Sequence, residues 1–316
     1  MFCFLFFFIL SGSSAEKSFA KEAEKGLTNA KRILFFAPHP DDEVICLGGY
    51  LADSIASGTE VSVAVVSDGA VFTKALRARQ PKPSLFFRAH DYRTLGHIRR
   101  TESARALDDL GIPPRKCFFL GYPSESLLAL FTNPRASALV RCYATAQRYG
   151  VADWGGTRRK PHPYSRAMLI SDLDHLLEQV NPDVVVIPHP DDSNTDHQAV
   201  SRFILERMAY LKRPTRTIAY LVHQGSRRIF PKPFGYHPEA GIDSPVGFPT
   251  PFRFLPTAAA QAKKEKAVRR HRSQIRLKDG FLLSFLRREE LFWIIPPGYR
   301  PDAPKTSSET ADLQDY

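Results

Sequence analysis

Two stretches of this chain place histidine and aspartate where they could hold one cation and move one proton. The first is Pro38-His39-Pro40-Asp41-Asp42-Glu43. The second is Pro188-His189-Pro190-Asp191-Asp192-Ser193-Asn194-Thr195-Asp196-His197. A His and an Asp three residues apart on a tight turn can point at one ion. Zinc accepts imidazole nitrogen and carboxylate oxygen at roughly 2.0–2.2 Å, and a catalytic zinc commonly takes three protein ligands and leaves one place open. His39 and Asp42 supply two donors, so a third must come from elsewhere, and His197 is the candidate. Asp196 beside it could orient a ring. His189 is open between ligand, supporting group and simple turn residue. The paired carboxylates Asp41 and Asp42 permit a division of labour: one binds the metal while the other stays free as general base. A bound cation lowers the pKa of a water from about 15.7 to roughly 7. That chemistry suits hydrolysis of an unactivated amide. An aspartate after a strand can also be only a helix cap, but two such turns, each directly after a buried strand, favour the metal site.

The elements that must position these residues are legible as apolar runs. Ile33–Ala37, Glu60–Val66, Cys117–Leu120, Asp183–Ile187 and Thr217–Val222 read as strands, the unbroken apolar ones as buried. Val44–Ala56, Ile98–Leu110, Ser165–Val180, Asp196–Tyr210 and Thr257–Arg276 read as helices, and Lys278–Trp293 carries a further helical pattern. Strands alternating with helices over residues 32–222 predict an α/β fold with a mostly parallel sheet covered on both faces. Ligands in such sheets bind outside the carboxyl ends of the strands, which is where both His/Asp turns stand. Residues 223–256, rich in proline, glycine and aromatics, read as a long ordered loop.

At these residues the chain resembles the zinc-dependent de-N-acetylases of the LmbE-like or PIG-L type, whose members include deacetylases of N-acetylglucosaminyl-phosphatidylinositol and of the mycothiol precursor. The first family motif stands complete as Pro38 to Glu43. Gly48-Gly49, Ser67-Asp68-Gly69, Arg99 with Glu102, Leu120-Gly121-Tyr122-Pro123, Asp196-His197, Lys266 to Gln274 and Glu290-Leu291-Phe292 match the rest, from about residue 32 to 293. The resemblance implies a Rossmann-like three-layer sandwich, one Zn2+ held by His39, Asp42 and His197, Asp41 as general base and Arg99 in substrate binding. It implies removal of an N-acetyl group from an N-acetylated sugar, glycan or glycolipid headgroup. There is one departure: many members carry a histidine three residues before the ligand histidine, where it stabilises the oxyanion, and here that residue is Asn194. An amide N–H can donate to an oxyanion but cannot carry a positive charge. That substitution keeps open a second reading, a non-catalytic zinc-containing glycan-binding protein of the same fold. A dinucleotide-binding reading has little support, because no G-x-G-x-x-G follows the first strand.

The 316 residues suffice for one sizeable core. Residues 2–10 form an unbroken apolar run followed by Ser11-Gly12-Ser13-Ser14-Ala15, so residues 1–15 read as an export signal, although no Lys or Arg precedes the run. The expected organisation is a signal at 1–15, a linker at 16–31, the deacetylase domain at 32–299 and a disordered tail at 300–316. The expected location is periplasmic or extracellular, and otherwise cytoplasmic. Cys46, Cys117 and Cys142 show no metal-ligand spacing and allow at most one bridge. The net charge of +11 admits an anionic surface as partner. Basic residues crowd Lys74–Arg105 and Lys263–Lys278, the latter reading as a solvated helix face. No nucleic-acid motif accompanies the charge.

Overall fold

The structure is a computed structural model and describes residues 27, 29–212, 215–225, 230–277 and 280–302. The expectations for the signal at 1–15, for most of the linker at 16–31 and for 303–316 of the tail fall outside these residues.

The strands, in chain order, are β1 (Arg32–Ala37), β2 (Glu60–Ser67), β3 (Cys117–Tyr122), β4 (Tyr149–Gly150), β5 (Asp153–Trp154), β6 (Thr157–Arg158), β7 (His162–Pro163), β8 (Val184–Pro188), β9 (Arg216–Tyr220), β10 (Phe252–Phe254) and β11 (Glu290–Ile295). The helices are α1 (Asp42–Ile45), α2 (Gly48–Ala56), α3 (Thr73–Arg79), α4 (Ala89–Leu110), α5 (Leu127–Thr132), α6 (Arg166–Val180), α7 (Thr195–Tyr210), α8 (Ala258–Val268) and α9 (Arg272–Ile275). Nine strands make one sheet in the order β10-β11-β9-β8-β1-β2-β3-β5-β6. The middle five are parallel, β3-β2-β1-β8-β9. Both edges are extended by antiparallel strands. The chain runs outward from β1 through β2 to β3, then returns to lay β8 on the other side of β1. The carboxyl ends of β1 and β8 therefore flank a topological switch point, where open sheets form their ligand crevice. Both His/Asp turns emerge there.

Ile33, Leu34, Phe35, Phe36 and Ala37 are all fully buried, as expected of a central parallel strand covered on both faces. Burying each large side chain is worth about 1.5–3 kcal/mol, so this strand is a firm base for the loop that follows it.

Three elements differ from the sequence reading. The helix expected over Val44–Ala56 is two helices, because the carboxylate of Glu290 reaches in from β11 and starts a new one. It accepts from the backbone N–H groups of Gly49 and Tyr50, at 2.8 Å each. A Cβ on Gly49 would lie 2.5 Å from Pro256 Cγ, so this close approach requires glycine. The helix expected over Thr257–Arg276 is interrupted between α8 and α9. The helical pattern over Lys278–Trp293 is corrected: its end is strand β11, held between β9 and β10. Its run of large apolar residues fits a strand, and antiparallel pairing on both sides decides the matter over a weak helical period. Among the described residues of 223–256 the loop is as expected, apart from β10. Cys46, Cys117 and Cys142 are free and buried, so the bridge the sequence allowed is not formed among them.

Glu290 also holds the ammonium of Lys264 at 2.7 Å, both side chains being almost fully buried. Glu290→Ala would leave that charge unpaired and two backbone donors unsatisfied. Urea denaturation should show a loss of about 3–5 kcal/mol; a loss below about 1 kcal/mol would count against this role.

Candidate metal centre

Asp42, at the start of α1, is the meeting point of the two turns. One oxygen of its carboxylate, Oδ2, lies 3.5 Å from His39 Nδ1 and 3.2 Å from His197 Nε2. The two ring nitrogens are 3.3 Å apart. The donor atoms of His39, Asp42 and His197 all lie within 4.8 Å of one another, and all three residues are buried. These separations fit zinc: tetrahedral ligands at about 2.05 Å from an ion stand roughly 3.3 Å from each other. Two imidazoles and one carboxylate are also a zinc donor set by type.

Each ring is aimed by a carboxylate behind it. His39 Nε2 is 3.1 Å from Asp196 Oδ2. His197 Nδ1 is 3.2 Å from Asp192 Oδ2. Such outer carboxylates fix which ring nitrogen faces the metal. Both carboxylates are themselves fixed by backbone. Asp196 accepts from the N–H groups of Glu125 (2.6 Å) and Leu127 (3.0 Å). Asp192 accepts from those of Val222 and His223, at 3.0 Å each, and from Asn194 (2.9 Å). The sequence pointed to Asp196 as an orienting group, and it is one, but for the ring of His39 on the opposite turn. Asp192, which orients His197, was not singled out; its place before a helix gave only a capping signal.

The electrostatics follow from this packing. Burial alone would depress the His39 imidazole, but hydrogen bonds to Asp196 and Asp42 outweigh it and raise it to about 9. For His197 burial is likewise overcome, by Asp192 and Asp42, and the imidazole rises well above its ordinary value. Against its own burial, Asp42 is held well below the usual carboxylate range by the two rings.

Asp41 points to the other side. Its backbone has φ 150°, a region non-glycine residues rarely enter. Glu43 holds it there by accepting from the Asp41 N–H at 2.8 Å. Burial pushes Glu43 up to about 8, and Ser103 on α4 donates to it. The Asp41 carboxylate meets Arg99 Nη2 at 3.2 Å. Arg99 also donates to the carbonyls of Gly69 (2.7 Å) and Pro40 (3.1 Å). With its amide turned to suit its neighbours, Gln274 donates to Asp41 Oδ2 and accepts from Arg99 Nε at 3.0 Å. Burial raises Asp41 to about 6, with Arg99 opposing.

Asn194 begins α7. Its side-chain oxygen accepts from the N–H of Asp196 (2.8 Å) and more weakly from that of His197 (3.4 Å). It therefore caps the helix that carries His197 while lining the cleft. That cleft has about 520 Å³ of empty space, and its walls include His39, Asp41, Asp42, Arg99, Asn194, His223 and Phe281. His223 stacks on Phe281 with ring centroids 5.6 Å apart. His189 is not part of the metal group: its ring packs edge-on against Phe248 and Trp293, so it is a structural residue of the turn. His162 packs against Tyr122 and is absent from the cleft wall.

The sequence matches the GlcNAc-PI de-N-acetylase (PIG-L) family over residues 34–208. The chain belongs to this family. A comparison with curated protein sequences finds no match. Among solved structures, the N,N'-diacetylchitobiose deacetylase from Pyrococcus horikoshii shares 21% identity, with a TM-score of 0.52, over 92% of this chain and 96% of that one. The pseudoaglycone deacetylase of an antimicrobial reagent shares 17% identity at a TM-score of 0.52, over 85% of this chain and 99% of that one. The zinc-inhibited form of a teicoplanin deacetylase shares 17% identity at the same TM-score, over 83% and 97%. These likenesses show a common fold: a large, mostly parallel sheet flanked by helices.

Because Asp192 aims the His197 ring, Asp192→Asn should weaken zinc binding about 10–100-fold. Competition with a chromophoric chelator measures this, and unchanged affinity would contradict the assignment.

Proposed function

We propose that this member of the family is a zinc-dependent hydrolase that removes an N-acetyl group from an N-acetylated amino sugar or glycoconjugate. The observation that carries the reading is the convergence of His39 Nδ1, His197 Nε2 and Asp42 Oδ2 at 3.2–3.5 Å from one another. Zinc held by these atoms would polarise the amide carbonyl and acidify a water.

The chain's own residues supply the rest. Asp41 receives the proton of the attacking water. Its pKa of about 6 leaves it largely ionised at neutral pH yet basic enough to take a proton. Arg99 and Gln274 hold its carboxylate in place. The sequence suggested Arg99 for substrate binding; its hydrogen bonds to Gly69, Pro40 and Asp41 favour a positioning role within the cleft wall. Asn194 spends its side-chain oxygen on the helix cap, which leaves its amide N–H group as the donor for the developing oxyanion. The apolar run at residues 2–10 supports placing this activity outside the cytoplasm.

Asn194 also motivates a second reading, a zinc-containing glycan-binding protein without turnover. Steady release of acetate from simple N-acetylated sugars separates the two: the hydrolase reading predicts it, and its absence from zinc-loaded protein across a broad screen would favour binding alone.

Two further outcomes are expected. Asp41→Asn should retain one equivalent of zinc by elemental analysis yet lose about 10²–10⁴-fold in kcat; full activity would remove the base assignment. Zinc affinity should also rise with pH. Against its burial, the His39 imidazole is raised to about 9 by Asp196 and Asp42, so a proton competes with the metal for the ring. Affinity should climb up to about tenfold per pH unit for each proton displaced, between about pH 6 and 8. An affinity indifferent to pH would overturn this protonation scheme.

A further inference from the structure

Val71 and Phe72 line the cleft, and the chain beyond them forms a small lobe with its own core. Ala75, Leu76, Phe87 and Leu95 are buried together, apart from the main core, with Phe72 and Tyr92 packed against them. The outside of this lobe is unusual in two ways. Leu85 and Phe86, adjacent on one tight turn, are 77% and 53% exposed. The flanking chain carries Arg77, Arg79 and Arg88, all exposed, and residues 73–90 contain no acid. The first acid, Asp91, is met by Lys82 at 3.1 Å. The other basic stretch behaves differently. Lys264 meets Glu290, Lys266 and Arg270 meet Asp109, and Arg269 meets Glu265. Four of its cations are paired with acids of the molecule, whereas the lobe's own stretch over residues 73–90 supplies no acid.

We propose that this lobe docks on the surface of an anionic phospholipid bilayer, with Leu85 and Phe86 entering at headgroup depth and the cations facing lipid phosphates. Single exposed apolar residues need no explanation. An adjacent Leu and Phe in a cationic frame have the composition that binds anionic interfaces. A soluble acidic glycan would engage the charges and leave Leu85 in water; a bilayer engages both features. The lobe sits at the cleft rim, so docking would present the site to a lipid-linked amino sugar. That consequence rests on the hydrolase reading, whereas the docking does not.

The test is flotation of the full chain with vesicles of phosphatidylcholine alone and with vesicles in which about a third of the lipid is phosphatidylglycerol. The protein should float with the anionic vesicles only, and less so as salt is raised. Leu85→Ser with Phe86→Ser should cut the vesicle partition about thirtyfold. Its circular dichroism and its turnover of a soluble N-acetylated sugar should stay unchanged. Arg79→Glu with Arg88→Glu should abolish flotation. The proposal is overturned if the wild type ignores anionic vesicles or if the Leu85/Phe86 variant floats as well as the wild type. It is equally overturned if a soluble acidic polysaccharide displaces the vesicles and binds that variant undiminished. Deacetylase activity without flotation would remove the docking surface and leave the catalytic reading intact.

Discussion

The site depends on one carboxylate oxygen, Asp42 Oδ2, shared between two imidazoles that arrive from loops about 150 residues apart. Buried donors this close repel one another unless something positive lies between them or they hold protons. The raised imidazoles and the depressed carboxylate express that requirement. The sheet topology satisfies its geometric half: β8 returns beside β1 and so brings the two turns to one crevice.

Much of the remaining structure braces the first turn. Arg99 and Glu102, one helical turn apart on α4, divide the work. Arg99 grips Pro40 and Asp41. Glu102 accepts from the N–H and hydroxyl of Ser273, at 2.9 and 2.6 Å, which sets Gln274 against Asp41. Glu43 ties the same turn to Ser103. The strained backbone at Asp41 is thus over-determined from three sides, the usual condition for strain to persist at a working site. Ser273 and Gln274, from the C-terminal part of the chain, thus belong to the candidate site's scaffold.

The parallel core strands and the residues that converge were legible in the sequence, because unbroken apolar runs and a His-x-x-Asp turn are local signals. What was not legible came from contacts distant in sequence. The split at Gly48 is made by Glu290, some 240 residues away. The strand at Glu290–Ile295 is decided by its pairing partners. The near-repeat Pro38–Asp42 and Pro188–Asp192 looks like two copies of one device. Yet His189 packs among aromatics while Asp192 serves His197 from behind. The same five residue types therefore take different roles, because the second turn runs on into a helix whose own His197 occupies the metal-facing place. Asn194 likewise read as a gap in a catalytic pattern, and the structure adds that its oxygen is the cap of that helix.

The most direct measurement of the central claim is zinc-edge X-ray absorption on the loaded full chain. The account predicts a first shell of nitrogen and oxygen at about 2.0–2.1 Å, with the outer scattering of two imidazoles and no sulfur. A shell containing sulfur at about 2.3 Å, or one lacking imidazole scattering, would contradict it.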